Sequence, residues 1–154
     1  MQKYIGFTKV ALPYGWLGNM APYPVEFKGK VWRTTEALFQ AMRFDDETIR
    51  EKIREQKSPM GAKFVAKRNT LLAKVVRGSA QDLANMELCV KLKLEQHTQL
   101  KGDLKKTGDT VLFEDVSARK NKAGSLTWGA VLENEEFIGE NALGNIWMKF
   151  RSLL

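Results

Sequence analysis

Thr34-Thr35-Glu36-Ala37-Leu38-Phe39-Gln40-Ala41-Met42-Arg43-Phe44 is the stretch on which the fold reading turns. A threonine hydroxyl at 34 or 35 can accept from a backbone N–H that has no helical partner, and so start a helix. Glu36, Gln40 and Arg43 then recur three and four residues apart and fall on one helical face. Leu38, Met42 and Phe44 supply apolar side chains beside that polar face. A short helix carrying a polar cluster next to core residues is predicted, although the same spacing also suits a solvated face.

Upstream, Val25-Glu26-Phe27-Lys28-Gly29-Lys30-Val31-Trp32 alternates in strand fashion around Lys28-Gly29, which predicts a short hairpin. Before it, Pro13, Gly15, Gly18, Pro22 and Pro24 interrupt Tyr14, Trp16 and Tyr23, so the first third reads as irregular chain pinned by aromatics. Downstream, a helix is predicted from Asp46 to Gln56, stopping near Ser58-Pro59 because the proline ring disfavours helical geometry in Ser58. Ser58 or one of its neighbours can cap a further helix through Ala62, Val65 and Ala66 that ends before Arg77-Gly78-Ser79. The longest helix is expected from Gln81 to Leu94, and helical turns around Leu100 and Leu104 should end at Gly108. A strand is expected within Thr110 to Val116, then a basic loop over Arg119 to Ser125. Leu143, Ile146, Trp147, Phe150 and Leu153 are spaced for a C-terminal helix. The fold class is therefore mostly α with short β elements (α+β), in one compact domain over residues 1–154.

The net charge of +7 favours a negatively charged partner but does not choose among nucleic acid, nucleotide and membrane surface. Cys89 is the one cysteine, so an internal disulfide is excluded and a small buried hydrophobe is its expected role. Met1 to Phe7 lacks the sustained apolar stretch of a secretory leader, and no segment approaches the roughly 20 apolar residues needed to cross a bilayer. A soluble, cytoplasmic protein that does not enter membranes is expected. His97 is the one histidine and has no companions at ligand spacing, so neither a metal site nor a cofactor is expected.

Three stretches are candidates for chemistry. Glu36 and Gln40, one turn apart, pair a carboxylate with an amide able to grip a ribose or orient water. Trp128-Gly129 sets a broad aromatic beside a residue that lets other groups approach, which suits stacking on a base as well as packing in a core. Gly139 to Met148 carries glycines and Asn141, which can satisfy backbone groups or form a phosphate nest, without matching a Walker loop or the dinucleotide fingerprint.

Together these segments resemble the NADAR (YbiA-like) family. The matching residues are Asn19 and Pro22, Gly29, Trp32, the Thr35 to Phe44 helix, Ser58-Pro59, Arg68, Met86, Lys93, Thr107-Gly108 and Glu114, then Trp128-Gly129, Gly139, Asn141, Leu143-Gly144, Met148 and Arg151. The resemblance runs in order through nearly the whole chain. It implies an N-glycosidase-like domain acting on a phosphate-bearing ribosyl small molecule, such as a riboflavin-pathway intermediate, or on an ADP-ribosylated nucleobase. It implies Glu36 as the catalytic carboxylate, with Glu114 as a second acid. Asn19, Gln40, Arg43, Arg68, Trp128, Asn141 and Arg151 would then bind substrate or shape the pocket.

The chain also departs from the family pattern. Ala37 stands where relatives usually carry histidine, and Arg43 where they carry lysine. Ser125 replaces an acid, and Gly78 falls near a position often held by tryptophan. A guanidinium cannot form the Schiff base open to a lysine amine. A catalytically silent ADP-ribose or nucleotide sensor is thus the main alternative. A basic nucleic-acid-binding protein using Arg119 to Lys122 is the third reading, and oligomeric state is unassigned.

Overall fold

A computed structural model describes residues 3–154. Met1 and Gln2, which open the segment read as lacking a leader, lie outside the described residues. The main elements run β1 (Tyr4–Phe7), β2 (Val25–Phe27), β3 (Lys30–Trp32), α1 (Thr35–Ala41), α2 (Glu47–Glu55), α3 (Pro59–Arg68), α4 (Ala80–Gln96), α5 (Gln99–Lys106), β4 (Val111–Glu114), α6 (Ser125–Trp128), β5 (Val131–Glu133), β6 (Glu136–Ile138) and α7 (Ala142–Ser152). Helices dominate, and the described strands occur as two-stranded pairs, in keeping with the α+β expectation. No described helix is long and apolar enough to cross a membrane. The residues group into two compact units, Asn19–Gln96 and the two flanking segments taken together.

In the Asn19–Gln96 unit, β2 and β3 form the expected antiparallel hairpin, with Val25 opposite Trp32. Its two-residue turn places Lys28 and Gly29 at φ of 51° and 80°, the left-handed pair that matches the twist of the strands. Three helix starts follow one rule. The side chains of Thr34, Asp46 and Ser58 each accept from the backbone N–H three residues on, and Pro59 occupies the first helical turn, where its missing N–H costs nothing. α3 ends at Arg68, and a 3-10 turn at Thr70–Leu72 leads into the segment before α4. Because α1 packs against α2, α3 and α4, every residue from Thr35 to Ala41 is buried. Its polar residues therefore need partners inside the protein.

In the flanking unit, β1 pairs in parallel with β4, Tyr4 opposite Val111 through Phe7 opposite Glu114. This corrects the reading of the N-terminal segment as irregular throughout. Tyr4-Ile5-Gly6-Phe7 alternates for only four residues, and its partner lies in the C-terminal third, so no local pattern announces the strand. α7 packs on β4. Gly144 makes that contact possible, since a Cβ there would sit 2.1 Å from the Leu112 carbonyl oxygen. Asn141 completes the join: its Nδ2 donates to the Leu112 carbonyl at 2.9 Å and its Oδ1 accepts from the Glu114 N–H at 3.3 Å. Trp147 is fully buried, donates to the Leu17 carbonyl at 2.9 Å and meets Trp16 edge to face. The β5–β6 hairpin, which sequence reading did not place, turns through Asn134 and Glu135 and sets Phe137 against Tyr4 and Phe113.

Candidate functional site

The polar face of α1 is a continuous hydrogen-bonded chain. Gln40 Nε2 donates to Glu36 Oε1 at 3.0 Å, and Gln40 Oε1 accepts from Arg43 Nη1 at 3.2 Å. A guanidinium can only donate, so Arg43 turns the amide oxygen toward itself and directs the amide NH2 to the carboxylate. Arg43 is held in turn by Asp82 on α4, through parallel bonds from Nε and Nη2 to the two carboxylate oxygens at 2.9 Å each. The same guanidinium lies 4.5 Å from the Phe39 ring centroid. Glu36, Gln40, Arg43 and Asp82 are all buried, Asp82 completely. Breaking such a pair by removing one partner typically costs about 3–5 kcal/mol, because the survivor is left as an uncompensated buried charge.

The start of α1 is fixed as firmly. The Asn19 carbonyl accepts from the Glu36 N–H at 3.2 Å, and its side-chain Oδ1 accepts from the Thr35 hydroxyl at 2.9 Å. Asn19 Nδ2 contacts the Met86 sulfur at 3.0 Å, tying this turn to α4. Asn19 thus fixes the Glu36 backbone, and Gln40 holds its carboxyl group.

α4 contributes more than Asp82. Asp82, Met86, Cys89 and Lys93 recur at helical spacing and are all buried. The Cys89 thiol lies 3.7 Å from the Met42 sulfur, and burial, followed by the nearby Glu36 charge, pushes it far above the usual thiol range. Cys89 therefore packs as a small apolar residue. Lys93 is fully buried with its amine 5.1 Å from the Tyr23 ring centroid, and desolvation lowers its ammonium from 10.5 to about 7.

Among the expected site residues, the structure brings together Asn19, Glu36, Gln40 and Arg43 in the Asn19–Gln96 unit. Arg68 belongs to the same unit and is the exposed last residue of α3. Glu114, Trp128, Asn141 and Arg151 belong to the flanking unit. There Glu114 pairs with Arg119 at 3.3 Å, and Trp128 ends α6, half-buried. Arg151 donates to the Thr107 hydroxyl at 2.9 Å and the Thr110 carbonyl at 2.7 Å. Asn141 and Gly144 serve the α7–β4 join described above, so the side-chain amide read as part of a phosphate nest has backbone partners. Asp82 was missed by sequence reading. It lies 39 residues from Arg43, and nothing in its local pattern marks it as an ion-pair partner.

The other side of α1, with Leu38, Ala41 and Met42, lines a mainly apolar cleft of about 340 Å³ with Trp32, Asn85 and Leu88. None of the expected site residues lines it. This apolar cleft and the polar chain thus lie on different faces of one helix.

The family model described as the NADAR domain matches residues 6–154. The chain belongs to the NADAR family. It is 33% identical over 151 residues to N-glycosidase YbiA of Escherichia coli strain K12, an alignment covering 97% of this chain and 88% of that protein. YbiA of Shigella boydii serotype 4 matches to the same extent. A riboflavin biosynthesis protein of Vibrio vulnificus is 28% identical over 159 residues, which span this whole chain but 39% of that protein. The NMR structure of Escherichia coli YbiA superposes with a TM-score of 0.78 at 30% identity, covering 99% of this chain and 86% of that one. This NADAR chain thus shares both sequence pattern and fold with proteins named as N-glycosidases.

Proposed function

We propose that this NADAR protein is an N-glycosidase that hydrolyses the ribosyl C–N bond of a phosphate-bearing compound, either an ADP-ribose conjugate or a ribosylamino phosphate. The observation that carries the reading is Glu36, a buried carboxyl group held by Gln40 on a helix fixed at its start by Asn19. In the reaction the C–N bond breaks with its electron pair going to the base, and positive charge gathers on the anomeric carbon and ring oxygen. A carboxylate beside that carbon stabilises the charge, or takes a proton from the water that attacks it. Glu36 is assigned this role. Arg68 offers charge to phosphate, and the family resemblance implies Glu114 as the second acid and Trp128 as the ring that stacks on the base. Asn19, Gln40 and Arg43 hold the structure around Glu36, and Asn141 and Arg151 that of the flanking unit, through the bonds described above. A cytoplasmic setting suits the lone buried thiol.

The test is base release, followed chromatographically, from a panel of ADP-ribose conjugates and ribosylamino phosphates. Glu36→Gln is isosteric and keeps a group able to accept from Gln40, so it should remain folded while losing about 10²- to 10⁴-fold in rate. Wild-type turnover in that variant would overturn the assignment. A second reading, the catalytically silent sensor, is favoured by Ala37, Arg43 and Ser125, which replace groups that relatives of this resemblance usually carry. Saturable binding across the panel with no base release by the wild-type protein would select it.

A further inference from the structure

The phosphate of the proposed substrate needs a cation with hydrogen-bonding capacity to spare. Arg43 has Nε and Nη2 on Asp82 and Nη1 on Gln40. Arg151 bonds to Thr107 and Thr110. Arg77 is placed differently. The chain before it is strapped down by the Lys74 and Val75 N–H groups, which donate to the Arg43 carbonyl at 2.7 and 3.3 Å. The chain after it is held by the Gly78 N–H, which donates to Asp82 Oδ2 at 2.9 Å. Both flanks of Arg77 are therefore anchored on the same buried Arg43–Asp82 pair that orients Gln40 toward Glu36.

The side chain between these anchors is exposed and makes no hydrogen bond or ion pair among the described residues. Partial burial lowers its guanidinium first and the neighbouring Arg43 charge lowers it further, while Asp82 and Glu36 act in the opposite direction. Arg77 thus stands in the field of the Glu36 site beside a cation already neutralised by Asp82. An incoming anion supplies the hydrogen-bonding partner that the described residues do not.

We propose that Arg77, beyond the charge offered by Arg68, is a phosphate-recognising residue of the Glu36 site, where its fork binds a phosphoryl group carried on the ribose of the substrate. This rests on the glycosidase reading for the identity of the ligand, but not for the presence of an anion site. Arg77 makes the site selective for phosphorylated ribosyl compounds over their nucleosides, since a nucleoside leaves the guanidinium without its partner. The backbone bonds of the strap do not involve the Arg77 side chain, so its removal leaves the anchors in place.

The full-length protein and its Arg77→Ala and Arg77→Lys variants are compared in two measurements: calorimetric titration with ADP-ribose, and base release from an N-ribosyl phosphate and from the matching unphosphorylated nucleoside. Arg77→Ala should raise the Kd for ADP-ribose and the KM for the phosphate by about 10- to 100-fold. It should leave kcat within about twofold and the KM for the nucleoside unchanged. Arg77→Lys, which keeps the charge but not the fork, should recover part of the loss. Equal effects on both substrates, or an unchanged Kd for ADP-ribose in Arg77→Ala, would overturn the proposal. If the wild-type protein binds ADP-ribose but releases no base, the glycosidase reading fails while the titration still decides Arg77.

Discussion

Arg43 and Lys93 are two buried cations in the same unit that meet burial in opposite ways. Arg43 meets an Asp82 carboxylate in matching fork geometry, with Gln40 taking a further donor. Lys93 is an amine over an aromatic ring, and desolvation brings its ammonium down to about 7. Below that pH the lysine is protonated both folded and unfolded, and the native state holds the charge in its interior. Between about 7 and the ordinary 10.5 the unfolded chain holds a proton that the native chain has released, so stability rises with pH. The slope from this one group reaches about 1.4 kcal/mol per pH unit. The stability of Lys93→Met relative to the wild type should therefore be highest at pH 6 and fall steadily toward pH 10. Urea denaturation of both proteins at each pH isolates the effect, and a stability difference that does not vary with pH would refute it.

Elements are specified here by short-range and long-range devices of different legibility. Thr34, Asp46 and Ser58 cap their helices through bonds to residues three positions on; the caps at Thr34 and Ser58 are legible in the sequence, and Asp46 is legible there only as a helix boundary. The face shared by Glu36 and Gln40 is legible for the same reason, because helical spacing alone brings a residue beside its fourth neighbour. The α7–β4 join is the opposite case. Asn141 and Gly144 are visible as a turn-like pair, but their use depends on a strand about thirty residues earlier, where Asn141 bonds the Leu112 carbonyl. Gly144→Ala tests the join: the added methyl would meet the Leu112 oxygen at 2.1 Å and Asn141 Oδ1 at 2.5 Å. A helical alanine is otherwise favoured over glycine by about 1 kcal/mol, so local propensity predicts stabilisation while packing predicts a loss at the upper end of about 1–3 kcal/mol. Thermal and urea unfolding give the sign directly, and a stabilised variant would mean that α7 can shift off β4 without cost.

For the molecule as a whole, the charge of +7 sets how it meets an anion at a distance. Raising NaCl from about 50 to 500 mM shortens the Debye length from roughly 14 to 4 Å, so long-range attraction fades while contacts at the site persist. Expected is a several-fold fall in kcat/KM for a phosphorylated ribosyl substrate, with kcat nearly constant and little change for the neutral nucleoside. Equal salt sensitivity for both substrates would assign the effect to something other than charge. The sequence by itself determined the α+β class, the caps at Thr34 and Ser58, the β2–β3 hairpin and the shared face of Glu36 and Gln40, and its resemblance to the NADAR family carried through to the family model and the YbiA fold. These depend on backbone propensity and spacings of a few residues. Only the tertiary structure decided that β1 pairs with β4, that Asp82 takes the Arg43 fork, and that the strap carrying Arg77 is tied to that pair. Those contacts join residues far apart in the chain, where no propensity acts and only the folded path of the backbone brings donor to acceptor.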